Sequence, residues 1–521
     1  MRNEDQGKLW TEPPGGQEEA VISGEEKRQM KPRVKAINRQ QMVMRTIDVE
    51  QLVEADHNVR AIWEMTERLD LSNYYERIRV FEETAGRPAT DPRLLVSLWV
   101  YAYSKGISSA REVERMCEWE PAFQWLTGMG TVNYHTLSTF RSENKEALDK
   151  LFTNLLGVLS AEGLISLEQV TQDGTKVRAY AGKDTFRREK RIQEHLKAAR
   201  EQVEQMGDPS VAEEVGPRVA KARQRAAREM KEKLELALEE LEKIRAEKPE
   251  DDKEEVRVSE TDPYCRVMKN SEGGYGPSYN VQLSADVTAD VIVGVDVTQA
   301  YVDCGELDGG VKRVEEGTGQ PPKQIIVDAG YTTRHNIIAM KHRGIDLIGD
   351  MTTGKSKSPS GMKAAGIDEQ FFPQAFIYTE ANNTYTCPAG KILKRIRSSR
   401  REGYTEHQYQ TRVGECLQCP FKQQCCPKSA KGRTINRIED DPAVTSFKEK
   451  MQTQEARECY KLRSQVAEFP IAWIKEKIGL RKFRLQGLTK VRMEATWACL
   501  TYNIKQWIRL RWKQRWCANL T

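Results

Sequence analysis

The spacing of apolar positions changes character several times along the chain. From about Asp48 to Gly163 it is helical: Leu94, Leu95, Leu98, Tyr101 and Ala102 recur at three-to-four spacing, as do Val113, Met116 and Cys117. Asp91-Pro92 opens the first of these helices with a cap residue and a proline in the first turn. A short extended stretch, Val170 to Asp173, follows. Further on, Val281, Leu283, Ala285 and Val287 alternate and Val291-Ile292-Val293-Gly294-Val295 continues, which predicts a hairpin turning through Thr288-Ala289-Asp290. A mixed segment from Asp303 to Gly319 leads to the apolar run Ile325-Ile326-Val327, which ends at Asp328, and Ile345 to Ile348 supplies a fifth strand. From about Val444 to Ile478 the pattern is helical again. Pro470 lacks an N–H and is expected to end or kink that helix, leaving Glu468 near the junction of two helical pieces.

Three segments interrupt this order. Residues 1–45, rich in Glu, Gln, Gly and Lys, read as a mobile tail. Between about Arg187 and Arg257 charged residues dominate, and Leu234, Leu238 and Leu241 give only a thin apolar stripe. Gly207-Asp208-Pro209 and Gly216-Pro217 break that region, so it predicts two or more long helices in a solvated, self-paired arm, inserted over 185–257. A cysteine-containing insertion occupies 351–439. With the arm set aside, the strands run three antiparallel, a connection, a fourth and a fifth. That is the order of a ribonuclease H-like sheet, in which the first and fourth strands adjoin. The fold class is therefore α/β: a ribonuclease H-like catalytic core over 164–350 and 440–510, preceded by an N-terminal helical domain over 46–163. Asp173 and Asp328 become neighbours although 155 positions separate them.

At 521 residues the chain can form two or three domains with sizeable cores. Net charge identifies no partner, because 82 Lys+Arg stand against 77 Asp+Glu. Distribution does. From Lys475 to Arg515, twelve basic residues face only Glu476 and Glu494, the footprint of a nucleic-acid partner. Trp497, Leu500, Ile504 and Ile508 run through that stretch at helical spacing and are expected in the core. No apolar run approaches twenty residues, so no membrane span is expected. The N-terminus lacks an apolar signal core and the eleven cysteines are odd in number, which together suggest a cytoplasmic setting with reduced thiols.

The candidate chemistry begins with Asp173, Asp328 and Glu468. Two carboxylates at strand ends and one on a helix can converge on hard divalent cations, Mg²⁺ or Mn²⁺, which take oxygen ligands and often act in pairs in phosphoryl transfer. Tyr460, Arg463, Glu468 and Lys475 fall within an arc of roughly 140° on a helix. Arg463 and Lys475 there would face phosphates; the alternative is a surface helix with ordinary ion pairs. Cys387, Cys416, Cys419 and Cys425, with a Cys-x2-Cys pair among them, match a structural Zn²⁺ site, against the alternative of plain reduced thiols. Gly349 to Ser356 matches a phosphate loop. Lys357-Ser358-Pro359-Ser360-Gly361 follows it and reads as loop rather than helix, so nucleotide binding is not expected. The helix after Asn133-Tyr134-His135 could pair with Arg111 to Cys117 as a DNA-docking helix-turn-helix, or serve domain packing alone.

These stretches resemble DDE transposases of the bacterial insertion-sequence type that carry a Tyr-Arg-Glu-Lys signature. The resemblance rests on Asp173-Gly174-Thr175-Lys176, on Ile326-Val327-Asp328-Ala329-Gly330-Tyr331 and on Tyr460 to Lys475. Gly86-Arg87-Pro88, Asp91-Pro92-Arg93-Leu94-Leu95 and Ser138-Thr139-Phe140-Arg141 resemble the N-terminal domain of such proteins. It covers about residues 46 to 510 and implies Asp173, Asp328 and Glu468 as metal ligands, with Tyr460, Arg463 and Lys475 on DNA. It further implies cutting at an element's terminal inverted repeats, joining of 3′-OH ends to target DNA, and a dimer or larger assembly on that DNA. One departure stands out: four residues rather than three separate Arg463 from Glu468. Glu458 and Glu476 are the alternative third ligands. The rival readings are a ribonuclease H-like nuclease without strand transfer and a non-enzymatic, transposase-derived DNA-binding protein.

Overall fold

A computed structural model describes residues 39–518 apart from 43, 45, 80–87, 209–215, 271–272, 352–358 and 413. Most of the expected tail, Gly86-Arg87 and the Lys355-Ser356 end of the phosphate-loop match lie outside the described residues. Among the described residues no helix is long and apolar enough to cross a membrane.

The architecture is mixed α/β. The larger sheet contains β1 (Gln169–Arg178), β2 (Arg266–Lys269), β3 (Tyr275–Asp286), β4 (Val291–Thr298), β5 (Gln324–Val327) and β6 (Asp346–Ile348). Its order is β2-β3-β1-β5-β6, with β4 also pairing β3. β3 lies antiparallel to β1 and to β4, whereas β5 lies parallel to β1 from Gln169↔Gln324 to Gln172↔Val327, and β6 parallel to β5. Helices cover both faces, and β3 is accordingly buried along nearly its whole length. The mixed segment before β5 resolves into a helix, α9 (Leu307–Thr318), stopped by Gly319 in a left-handed conformation.

Before the sheet come α1 (Asn58–Arg68), α2 (Pro92–Ser104), α3 (Ala110–Trp119), α4 (Pro121–Thr127), α5 (Tyr134–Glu143) and α6 (Lys145–Ala161). Asp91 caps α2 by accepting from the Arg93 N–H at 2.8 Å, with Pro92 in the first turn as the sequence predicts. The expected helix-turn-helix differs: α4 stands between α3 and α5, so no tight turn joins them. Leu137, Phe140 and Arg141 turn α5 inward, leaving His135 and Thr136 exposed.

Two insertions leave the sheet. α7 (Glu189–Met206) and α8 (Pro217–Ala246) form the charged arm, with Ile192, Leu196 and Ala199 packed on Leu234, Ala237 and Leu241. A buried ion pair, Arg266 to Glu240 at 2.5 Å, ties α8 to β2. The second insertion holds an antiparallel sheet of β7 (Ile377–Thr379), β8 (Thr384–Thr386), β9 (Ile392–Arg401), β10 (Tyr404–Gln410) and β11 (Thr434–Asp440). About a third of the cysteine-containing insertion is thus sheet.

After the insertions come α10 (Pro442–Lys450), α11 (Gln454–Glu476) and α12 (Leu488–Trp507), the last continuing through a π-helical turn over Ile508–Trp512 into Lys513–Ala518. Every residue of α12 from Met493 to Ile504 is buried, as expected of a helix apolar on most sides. It packs on α2, α5, α6 and β4, and Trp497 and Trp507 are fully enclosed. One hydrophobic core therefore extends from Val59 to Trp512 without a break at residue 163. Asn503 on α12 accepts from the Ile292 N–H at 2.9 Å and donates to its carbonyl at 2.7 Å, completing the outer edge of β4 beside a bulge. Asn503→Leu would leave both backbone groups buried and unpaired, so it should destabilise the protein by about 2–4 kcal/mol. Thermal or denaturant melting checks this, and an unchanged midpoint would contradict it.

Candidate metal and nucleic-acid site

Asp173 lies on β1, and Asp328 follows β5 by one residue. The last parallel pair is Gln172↔Val327, so the two aspartates stand side by side one position further on. Asp328 is oriented by its own turn: its Oδ1 accepts from the N–H of Gly330 at 2.7 Å and of Tyr331 at 3.3 Å. The Thr332 hydroxyl closes that turn on the Asp328 carbonyl at 2.9 Å. Asp173 accepts from the Gly174 N–H at 2.7 Å. A Cβ at Gly174 would come within 2.5 Å of Gln282, 2.7 Å of Asp303 and 2.9 Å of the Tyr331 hydroxyl, so any larger residue there would have to displace these three side chains.

That packing is polar. Lys176 Nζ, Asn280 Nδ2 and Gln282 Nε2 all donate to Asp303 Oδ1, at 3.1, 2.6 and 2.9 Å. The sequence reading missed this cluster. Its signal is Asn280 and Gln282 alternating with Val281 and Leu283 in a strand buried on both faces, where polar side chains need partners.

The charge balance around Asp173 is strained. Burial, the largest cause, pushes its carboxyl up to about 6; Asp328 and Asp303 add repulsion, and the Gly174 N–H and Arg463 offset part of it.

The third element is α11, a single helix that continues through Pro470 rather than stopping there. Pro470 is itself buried, along with Ala456, Val466, Ala467 and Ile474, and this packing outweighs the lost hydrogen bond. Cys459 Sγ donates to Gln324 Oε1 at 3.1 Å and docks the helix on β5. Arg463 sits near the middle of the buried stripe, with Nη1 3.8 Å from Asp173 Oδ2. Tyr460 is half-buried beside Arg463, and its hydroxyl is raised by burial and by Asp350 and Asp328, against the lowering pull of Arg463. Asp350, two residues past β6, thus joins the surroundings of Asp328.

Glu468 is exposed. At 100° per residue it points roughly 130° from the centre of the buried stripe, and the extra residue after Arg463 accounts for most of that rotation. Of the alternatives, Glu458 accepts from Gln454 at 2.7 Å and Glu476 pairs with Arg481. Lys475 is half-buried in the last turn of α11. The structure brings together Asp173, Asp328, Tyr460 and Arg463. Among the described residues no three His, Cys, Asp or Glu side chains converge closely enough to hold a metal.

Cys387, Cys416, Cys419 and Cys425 line one small apolar cavity at the end of the second sheet, with Cys426 as a fifth thiol. All are free. Cys387 Sγ accepts from the Lys391 N–H at 3.2 Å. Burial pushes the Cys425 thiol up to about 12, with Cys426 and Cys416 adding to it.

Two family models match the chain. Residues 386–508, which include the cysteines and α11, match one described as a transposase DDE domain; residues 47–143 match one described as a transposase domain of the DUF772 type. Together they support a DDE-type transposase. No curated protein gives a match. A solved chain described as a piggyBac transposase synaptic complex with hairpin DNA is 9% identical, with 87% of this chain and 81% of that one covered, at a TM-score of 0.23. Those values are too low to establish a shared fold. The matched regions leave out both Asp173 and Asp328, so neither match bears on those two residues.

Because the folded Asp173 carboxyl titrates above its unfolded value, it costs stability in its charged form. The penalty is absent well below pH 4, grows as pH rises toward 6, and is complete above that. Asp173→Asn should therefore stabilise the metal-free protein at neutral pH by on the order of 2 kcal/mol, raising its melting temperature, and the gain should fade toward pH 4. Melting curves in chelator at the two pH values check it.

Proposed function

We propose that the chain is the DNA transposase of an insertion sequence, built on a ribonuclease H-like core. The observation that carries this reading is the pair Asp173 and Asp328, on adjoining parallel strands, with Arg463 facing them from α11. Two neighbouring carboxylates, one buried and destabilised when charged, suit a hard divalent ion. Asp173 and Asp328 would hold Mg²⁺ or Mn²⁺, which when bound would activate the attacking oxygen and stabilise the leaving one; Glu468, the third ligand that the resemblance implies, points away from them and would join only after α11 turns. The chain's own groups do the positioning. Arg463, held only loosely by Asp173, is available to a phosphate, with Tyr460 beside it and Lys475 about three turns further along the same helix. A water oxygen displaces the 3′ oxygen at the element end. The freed 3′-OH then displaces a bridging oxygen of the target phosphodiester, so each step exchanges one P–O bond for another. The DNA partners are the element's terminal inverted repeats and the target, engaged by a dimer or larger assembly.

Incubating the full chain with Mg²⁺, a labelled duplex from the DNA flanking its gene and a supercoiled target tests this. Strand-transfer products are expected. They should fall at least about 100-fold in Asp328→Ala, equivalent to roughly 3 kcal/mol, while DNA binding persists. Cutting without joining would favour a ribonuclease H-like nuclease, and binding without cutting a non-enzymatic DNA-binding protein. Glu468→Gln should be as damaging as Asp328→Ala. If Asp350→Asn is the damaging change instead, the third carboxylate is Asp350, which lies near Tyr460.

Cys387, Cys416, Cys419 and Cys425 line one cavity, and drawn together and deprotonated they would offer Zn²⁺ the soft ligands it takes, a structural ion for a sheet with a small core. Metal analysis of the purified protein should find one zinc per chain, lost in Cys416→Ser. Folded protein with no zinc would reject the assignment.

A further inference from the structure

A second charged feature lies away from the aspartates. A cavity of about 270 Å³ opens between α11, the C-terminal helix and α1, lined by Asn58, Trp473, Tyr502, Lys505, Arg509 and Lys513. Trp473 and Tyr502 meet edge to face at 5.3 Å and form its apolar wall. Lys505, Arg509 and Lys513 follow one another at i, i+4 and i+8, a spacing at which like charges repel. Lys505 is half-buried, and among the described residues none of the three forms an ion pair with a carboxylate. Asp290 eases Arg509 only from a distance. Burial lowers the Lys505 pKa, and Lys513 and Lys105 lower it further.

Uncompensated cations against an apolar wall are costly, and the cost is removed by an anion. We infer that this cavity binds a backbone phosphodiester of DNA, held by Lys505 and Lys513. The identity of the anion rests on the transposase reading. Phe469 of α11 also lines the cavity.

The test is the salt dependence of binding to a fluorescein-labelled DNA duplex, read by anisotropy with the full chain. Lys505→Gln and Lys513→Gln should each lower the slope of log affinity against log salt by about 0.9 and weaken binding severalfold at moderate salt. Lys505→Gln should melt no lower than wild type, because it removes an unpaired half-buried charge. Lys513 is exposed and gives a variant with no packing role. Unchanged slopes in both variants would overturn the inference. So would a cavity that takes only free phosphate, seen as phosphate-dependent stabilisation lost in Lys505→Gln while the DNA slope stays the same. Metal-dependent cutting is scored separately. Altered slopes without cutting leave the pocket standing and remove the transposase reading; cutting with unaltered slopes does the reverse. A wild type that binds no duplex overturns both.

Discussion

Everything near the aspartates depends on the short parallel pairing of β1 with β5. It spans only Gln169 to Gln172 against Gln324 to Val327, yet it joins segments separated by the whole charged arm and the β3–β4 hairpin. Parallel strands cannot be joined by a tight turn, so the connection must leave the sheet and return, and here it does so through α9. The same register seats α11. Gln324, at the start of β5, bonds Gln169 across the pair at 2.8 Å and receives Cys459 Sγ from the helix. A slip of one residue in β5 would turn Asp328 to the other face and unseat the helix together.

The molecule places unfavourable charge in two regions and isolates each from the core. Around Asp173, like carboxylates crowd together in a buried setting, while the opposite face of β1 is settled by a neutral and cationic cluster on Asp303. At the other end, cations crowd against Trp473 and Tyr502. Both are arrangements that a metal-free, DNA-free protein tolerates rather than prefers. Strain of this kind is affordable only because the core between them is large and continuous.

Much of this was legible in the residue pattern. The alternation over Val281 to Val287 and the apolar run before Asp328 place both strands, and the strand order makes Asp173 and Asp328 neighbours. The helical spacing of Trp497, Leu500, Ile504 and Ile508 marks the buried face of α12. What periodicity could not supply is absolute orientation. An arc holding Tyr460, Arg463, Glu468 and Lys475 does not say which part of it faces the sheet; the burial of Val466, Ala467 and Pro470 decides that, and it leaves Glu468 outside. Pro470 misleads because a local rule is overridden by packing. The second sheet is invisible for a different reason: β9 buries only Leu393 among its ten residues, so no hydrophobic alternation announces it.

The position of α12 in the core also bears on when the protein becomes whole. Residues 488–507 come after every element they pack against: the helical block from Asn58 to Ala161 and the β4 strand are all made earlier. Until that helix arrives, their apolar faces lack the partner that covers them, and Ile292 lacks the side chain that satisfies its backbone. During synthesis the growing chain is therefore a set of waiting surfaces rather than a sequence of finished domains. The core around Trp497 and Trp507 is complete only once α12 has been made.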